Sequence, residues 1–144
     1  MRKHDPKIDL IRQIPAFTSA TSSELRELAT AADVVTVEAG DILCRADRRG
    51  FEAFVIVEGI VDVIAGNRTV LASLGPGEIV GELGVIDGAP RSADVVAQTD
   101  VTALVVQSAV LRPLLVTNES LRAAVLRQLA ERIRKADGLL APPA

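Results

Sequence analysis

Between Asp33 and Gln107 the chain is a close succession of short β-rich runs, and this pattern constrains the fold more than any other feature. The runs are Val34–Glu38, Ile42–Cys44, Phe54–Val57, Ile60–Ile64, Thr69–Leu74, Ser92–Ala97 and Val101–Val106. Turn signals separate them: Ala39-Gly40-Asp41, Glu58-Gly59, Gly66-Asn67 and Gly75-Pro76-Gly77. Short strands at this close, regular spacing predict a barrel or sandwich, and a jelly roll fits seven or eight of them.

Helical periodicity flanks the strands. Thr21-Ser22-Ser23-Glu24 reads as a capping box ahead of Leu25, Leu28, Ala29 and Ala32 at helical spacing. Upstream, Ile8 to Phe17 predicts a short helix ending near Pro15. After Gln107 a short helix is expected over Ser108–Val116, with Pro113 tolerable only near its first turn or at a kink. Asn118 can cap a longer helix carrying Leu121, Val125, Leu129 and Ile133 on one stripe and Arg122, Arg127, Glu131, Arg132 and Arg134 on the other, with Gly138 as its stop. The predicted fold class is mainly β with flanking helices: a β jelly-roll (double-stranded β-helix) barrel with helices at its N- and C-termini. Residues 1–144 form a single domain, divided into an N-terminal helical segment 1–32, the jelly roll 33–107 and C-terminal helices 108–137.

Composition narrows the class. Hydrophobic residues make up 49% of the 144, enough for a continuous core, but aromatics are only 2%, so that core must be aliphatic. The formal net charge of −3 argues against nucleic acid as the main partner, because that affinity comes largely from neutralising phosphates. Cys44, the single cysteine, lies in an apolar run and reads as a buried, inert thiol. No secretory leader is apparent, and the longest hydrophobic stretch, Ala53 to Ile64, holds Glu58, Gly59 and Asp62 and is too short and polar to span a bilayer. A cytoplasmic location without membrane contact is the expectation.

One stretch is unlike core sequence: Gly77-Glu78-Ile79-Val80-Gly81-Glu82-Leu83-Gly84-Val85-Ile86-Asp87-Gly88-Ala89-Pro90-Arg91-Ser92-Ala93. Gly81 and Gly84 free the backbone to bring N–H groups close to a ligand, and a helical turn starting near Glu82 would aim them outward as an anion site. Arg91 can close that site as the counter-charge. One Arg plus backbone donors suits a phosphate of a single negative charge; a triphosphate would call for a Walker lysine, and no G-x-x-x-x-G-K-[ST] run exists. Glu82 beside a phosphate is repulsive unless the ligand offers it a donor, as the ribose 2′-OH of a 3′,5′-cyclic nucleotide does. The competing reading is an ion pair between Glu82 and Arg91 that pins the loop.

Gly81-Glu82-Leu83-Gly84 followed by Pro90-Arg91-Ser92-Ala93 resembles the phosphate-binding cassette of cyclic-nucleotide-binding domains, the family of protein kinase A regulatory subunits, catabolite activator proteins and cyclic-nucleotide-gated channels. Ile14-Pro15-Ala16-Phe17, Ala39-Gly40-Asp41 and Phe54-Val55-Ile56-Val57-Glu58-Gly59 resemble the family's leading segment, early strands and turn. The resemblance implies a cassette over 81–93, with Glu82 on the ribose 2′-OH, Arg91 on the cyclic phosphate, and Gly81, Leu83, Gly84, Ser92 and Ala93 completing the cradle. It implies cAMP as the ligand, with cGMP as the alternative. Cyclic-GMP-selective relatives often carry Thr at the position of Ser92, and Ser there also occurs in cAMP-binding members. The sequence departs from the family at Ala46-Asp47-Arg48-Arg49-Gly50, where a Gly-Asp turn is usual, and in having no aromatic residue after Phe54 to cap the base. Arg132, Ile133 and Arg134 of the last helix are the candidate caps.

Other classes fit less well. A cupin enzyme on the same barrel needs several metal-ligating histidines, and the only one here is His4 in the N-terminal tail. No nucleophile with a base is apparent, so neither a catalytic residue nor a cofactor is expected. A transcription factor needs a helix-turn-helix beyond the last helix, so this chain by itself is not expected to read DNA. The resemblance implies a regulatory sensor that signals through movement of the C-terminal helix to an effector domain or protein. The alternatives are a fold-retaining scaffold that binds no nucleotide, and the sensor part of a larger channel, enzyme or transcription factor.

Overall fold

The computed structural model describes residues 6–46, 51–81 and 93–140. Helix α1 spans Pro6–Gln13, a 3₁₀ helix Pro15–Phe17 and α2 Ser22–Ala31. Eight strands follow: β1 (Asp33–Val37), β2 (Ile42–Cys44), β3 (Glu52–Glu58), β4 (Val61–Ile64), β5 (Val70–Leu74), β6 (Ile79–Val80), β7 (Asp94–Ala97) and β8 (Val101–Gln107). Helices α3 (Ser108–Thr117) and α4 (Glu119–Leu140) close the described chain. The strands form two four-stranded sheets, in the orders β1-β8-β3-β6 and β2-β7-β4-β5, and every pairing is antiparallel. This is the jelly roll expected from the strand spacing.

The central strands of the first sheet, β3 and β8, are buried on both faces, while β1 at its edge is largely exposed. Along β3, Ala53 and Val55 join the cluster formed with the helices, through Phe17, Leu25, Leu28 and Leu111. Phe54 and Ile56, pointing the other way, join the cluster between the sheets with Val61, Val95 and Ala103. Strand β8 divides likewise, with Leu104 and Val106 toward the helices and Ala103 inward. A strand covered on both sides carries apolar residues continuously, which is why these two runs show little polar alternation. Cys44, 4% exposed, lies in the inter-sheet cluster.

Several boundaries differ from the sequence expectations. The helix expected over Ile8–Phe17 is two pieces, because Pro15 sits at the first position of the 3₁₀ turn and its ring forbids continuation of α1. Strand β6 was not expected: two residues inside a glycine-rich stretch are too few to show periodicity. Pro113 lies inside α3, beyond its first turn. Gly138 does not stop α4, which continues to Leu140. The stripe predicted on α4 also needs correction. Leu121 and Val125 are buried and Leu129 is packed in part, but Ile133 is 61% exposed. Gln128 and Arg132 take the inward places, and the spacing 121, 125, 128, 132 marks the face that meets the barrel.

Two networks fix the helices. Thr21 caps α2: its Oγ1 accepts from Glu24 N–H at 3.1 Å, while Thr21 N–H donates to Glu24 Oε1 at 2.9 Å. Thr117 Oγ1 donates to Glu24 Oε2 at 3.1 Å, tying α2 to the end of α3. Asn118 Oδ1 accepts from Leu121 N–H at 3.1 Å and from Ser19 Oγ at 2.8 Å, so it caps α4 and binds it to the N-terminal segment. Ser120 Oγ donates to the Ala16 carbonyl at 2.9 Å in the same joint.

The hydrogen bonds to Glu24, first that from the Thr21 backbone, hold its carboxyl below the ordinary glutamate value. A group depressed in the folded state contributes stability that is present above its unfolded pKa and is lost as pH falls through the folded value. Glu24→Gln should therefore cost stability at neutral pH, and the difference from wild type should shrink in urea titrations taken below about pH 4.5. A difference that stays constant across that range would remove the carboxylate from the cap. Gly59 is a second test. Its φ is +93°, and a Cβ there would lie 2.2 Å from the Asp100 carbonyl oxygen and 2.9 Å from Thr99 Oγ1. Gly59→Ala should lower unfolding free energy by at least about 2 kcal/mol, since both the left-handed backbone and the contact are unfavourable. Denaturation at the wild-type midpoint would contradict this.

Candidate functional site

The site is approached through a tight turn. In Gly75-Pro76-Gly77-Glu78 the Glu78 N–H donates to the Gly75 carbonyl at 3.1 Å, and Gly77 has φ +86°; Pro second and Gly third is the chemistry of a type II turn. Glu78 Oε1 closes the turn by accepting from Gly75 N–H at 3.2 Å. The chain then forms β6, paired to β3 through Phe54↔Val80 and Val55↔Ile79. Gly81 follows with φ +85°, a conformation that penalises any side chain. Thus β6 is a short, buried segment between two left-handed glycines.

On the far side of the segment, Ala93 is buried at 6% exposure and leads into β7. Asp94 Oδ1 accepts from the Ala46 N–H at 2.6 Å, which anchors the start of that strand. Strand β6 belongs to one sheet and β7 to the other, so Gly81 and Ala93 stand at the ends of the connection from the first sheet to the second. Glu82, Leu83, Gly84, Arg91 and Ser92 lie outside the described residues, as does the helical turn expected near Glu82. Of the sequence-derived cradle, Gly81 and Ala93 are the members whose positions are described.

The candidate base caps separate on α4. Arg132 is half-buried and brings Nη2 within 3.5 Å of the Ile79 carbonyl oxygen, on the strand that leads to Gly81. Ile133 and Arg134 are exposed on the outer side of the helix. One functional neighbour escaped sequence reasoning. Gln128, 7% exposed, takes the Ile79 N–H at Oε1, 2.8 Å away, and its Nε2 donates to the Ile79 carbonyl. Its signal was available: a polar residue three positions after Val125 and seven after Leu121 falls on the buried stripe, where an apolar pattern search passes over it.

Elsewhere, a cleft lined by Leu10, Ile14, Pro15, Ile56 and Gly77 offers Gln13 as its polar side chain and contains no cation for a phosphate. Among the described residues no group of three or more His, Cys, Asp or Glu side chains could hold a metal ion, and no helix is long and apolar enough to cross a membrane.

Two antiparallel four-stranded sheets with helices at both ends define a jelly-roll domain among the described residues. The chain belongs to the cyclic nucleotide-binding domain family, whose model matches residues 34–118. It is 39% identical over 100 residues to a cyclic nucleotide-gated potassium channel of Mesorhizobium japonicum, across 69% of this chain and 27% of the channel. The chain spans about a quarter of the length of the curated channels it matches. Among solved structures it is similar to the N-terminal domain of a transcriptional regulator from Streptomyces coelicolor, at 30% identity and a TM-score of 0.61, covering 93% of this chain and 96% of that one. It is also similar to the regulatory subunit of a cAMP-independent protein kinase A from Trypanosoma brucei, solved as a triple mutant bound to cAMP in the A site. That match has 26% identity and a TM-score of 0.75, and covers 94% of this chain and 51% of that one.

Proposed function

We propose that this domain, residues 1–144, binds cAMP in preference to cGMP and acts as a cytoplasmic regulatory sensor. The carrying observation is that Glu82 and Arg91 both stand in the cassette pattern inside the matched span 34–118. Glu82 accepts the ribose 2′-OH and Arg91 neutralises the cyclic phosphate, with backbone N–H groups from Gly81 through Gly84 and at Ser92 completing the cradle. In a chain of net charge −3 the local cation and backbone donors must supply the attraction, since the overall field does not. The module binds rather than catalyses, and the chemistry needs no metal or other cofactor.

The output proposed is a shift of α4, read by an effector domain or protein. A ligand on the barrel biases an equilibrium only through an element that contacts the site differently in two states, and α4 packs on the strand leading to Gly81. A second reading has a specific observation behind it. The Trypanosoma brucei subunit is described as cAMP-independent, yet its triple mutant, in which one change is threonine to arginine, is bound to cAMP. A fold-retaining module without cAMP binding is therefore the alternative.

Calorimetry should find one cAMP per chain. Arg91→Ala should weaken binding by about 2–5 kcal/mol, because the phosphate stays desolvated without its cation. Unchanged affinity in that variant would sink the assignment, and no heat with wild type would favour the scaffold. In competition, cGMP should displace cAMP only at higher concentration; displacement at equal or lower concentration reverses the base preference. For the output, hydrogen exchange on free and cAMP-bound protein should show slowed exchange in 81–93 together with altered exchange in 119–135. A ligand effect confined to the loop would leave a rigid module with no helix signal.

A further inference from the structure

Among the described residues β6 is the edge of its sheet, with no described strand beside one row of its backbone groups. The pairing with β3 is carried by the neighbours of Ile79: Ile56 N–H donates to the Glu78 carbonyl at 3.0 Å, and Gly77 N–H to the Ile56 carbonyl at 2.8 Å. The N–H and C=O of Ile79 face away from β3, in a buried place where a backbone group needs a partner. The Gln128 side chain meets both, its amide substituting for a strand.

We propose that Gln128 is a positioning residue that couples α4 to the strand feeding the nucleotide cassette, an inference that rests on the binding role proposed for that segment. Helix α4 cannot leave without stranding the Ile79 N–H and the Gln128 amide, and the Ile79 carbonyl, which Arg132 Nη2 also reaches at 3.5 Å, would lose both its partners. The strand it grips is flanked by left-handed glycines, Gly77 at φ +86° and Gly81 at φ +85°. A displacement at Gly81 is therefore passed to Gln128, and a displacement of α4 is passed back to Gly81. Apolar contacts at Leu121 and Val125 hold the helix against the molecule, while Gln128 fixes its register to one residue of the barrel.

The test is residue-resolved hydrogen exchange on the whole chain, free and with cAMP. In wild type the Ile79 amide and a Gln128 side-chain N–H should exchange slowly. Gln128→Met keeps the length and loses both hydrogen bonds. Without ligand, its Ile79 amide should exchange at least about tenfold faster, and residues 125–135 should loosen with it, while Ala103 and Leu104 stay protected. With cAMP, the variant should still protect 81–93 but no longer alter exchange in α4. Unchanged Ile79 exchange, loosening at one end alone, or an undiminished effect of cAMP on α4 would each overturn the coupling. If Gln128→Met does not fold, the wild-type side chain decides: exchange of its amide protons at the rate of an exposed glutamine overturns the proposal, and protection supports it. If wild type binds no cAMP, the nucleotide reading fails, while the ligand-free comparison still decides whether Gln128 joins strand and helix.

Discussion

The structure depends on one sheet being covered twice. Strands β3 and β8 sit at its centre, and each gives alternate side chains to the two hydrophobic clusters. Fully burying one aliphatic side chain contributes about 1.5–3 kcal/mol, so a strand buried on both faces holds more of the fold per residue than any other element. The consequence is mechanical. Helices that pack on the outer face of this sheet share a wall with the barrel interior: Val55 and Ile56, adjacent in sequence, face opposite cores. Neither core can be repacked without the other feeling it.

That shared wall explains where a ligand can be sensed. The proposed cassette follows β6 of the first sheet in sequence and precedes β7 of the second, so its two ends are set at the seam of the jelly roll. Helix α4 lies against the other side of β6. The helix is in turn anchored at its start, where Asn118, Ser19 and Ser120 join it to the N-terminal segment. A helix fixed at one end and in contact with β6 further along can convert a small tilt at the seam into a larger sweep of its far end.

Much of this was legible in the sequence because the decisive signals are local. The capping box at Thr21–Glu24, the Asn118 cap and the strand runs are announced by residues within a few positions of one another. The fold class followed from strand spacing. Nonlocal events were not legible. Strand β6 exists because β3 lies beside it, and no two-residue pattern can announce that. Ile133 was placed on the apolar stripe by steps of four residues, but each such step drifts about 40° around the helix, which carries 133 about 120° from Leu121 and into solvent while 128 and 132 stay inward. As for the site, Glu82 and Arg91 lie outside the described residues, so of the proposed cassette only Gly81 and Ala93 can be compared with the expectation, whereas the partner on α4 was hidden by being polar.

The choice of an amide at position 128 separates attachment from register. An apolar side chain there would bury comparable surface, yet apolar contact is non-directional, and a helix seated on it can rotate or slip with little change in area. An amide facing a backbone N–H and C=O has one good geometry, and departures from it leave buried groups without partners, at about 1–3 kcal/mol each. The seam therefore has a soft part and a sharp part. Leu121 and Val125 make α4 stay, and Gln128 makes it stay in one position. A sensor needs both: attachment alone would let the helix drift among many positions, and only a discrete docked position can be exchanged for another when a ligand loads the strand beneath it.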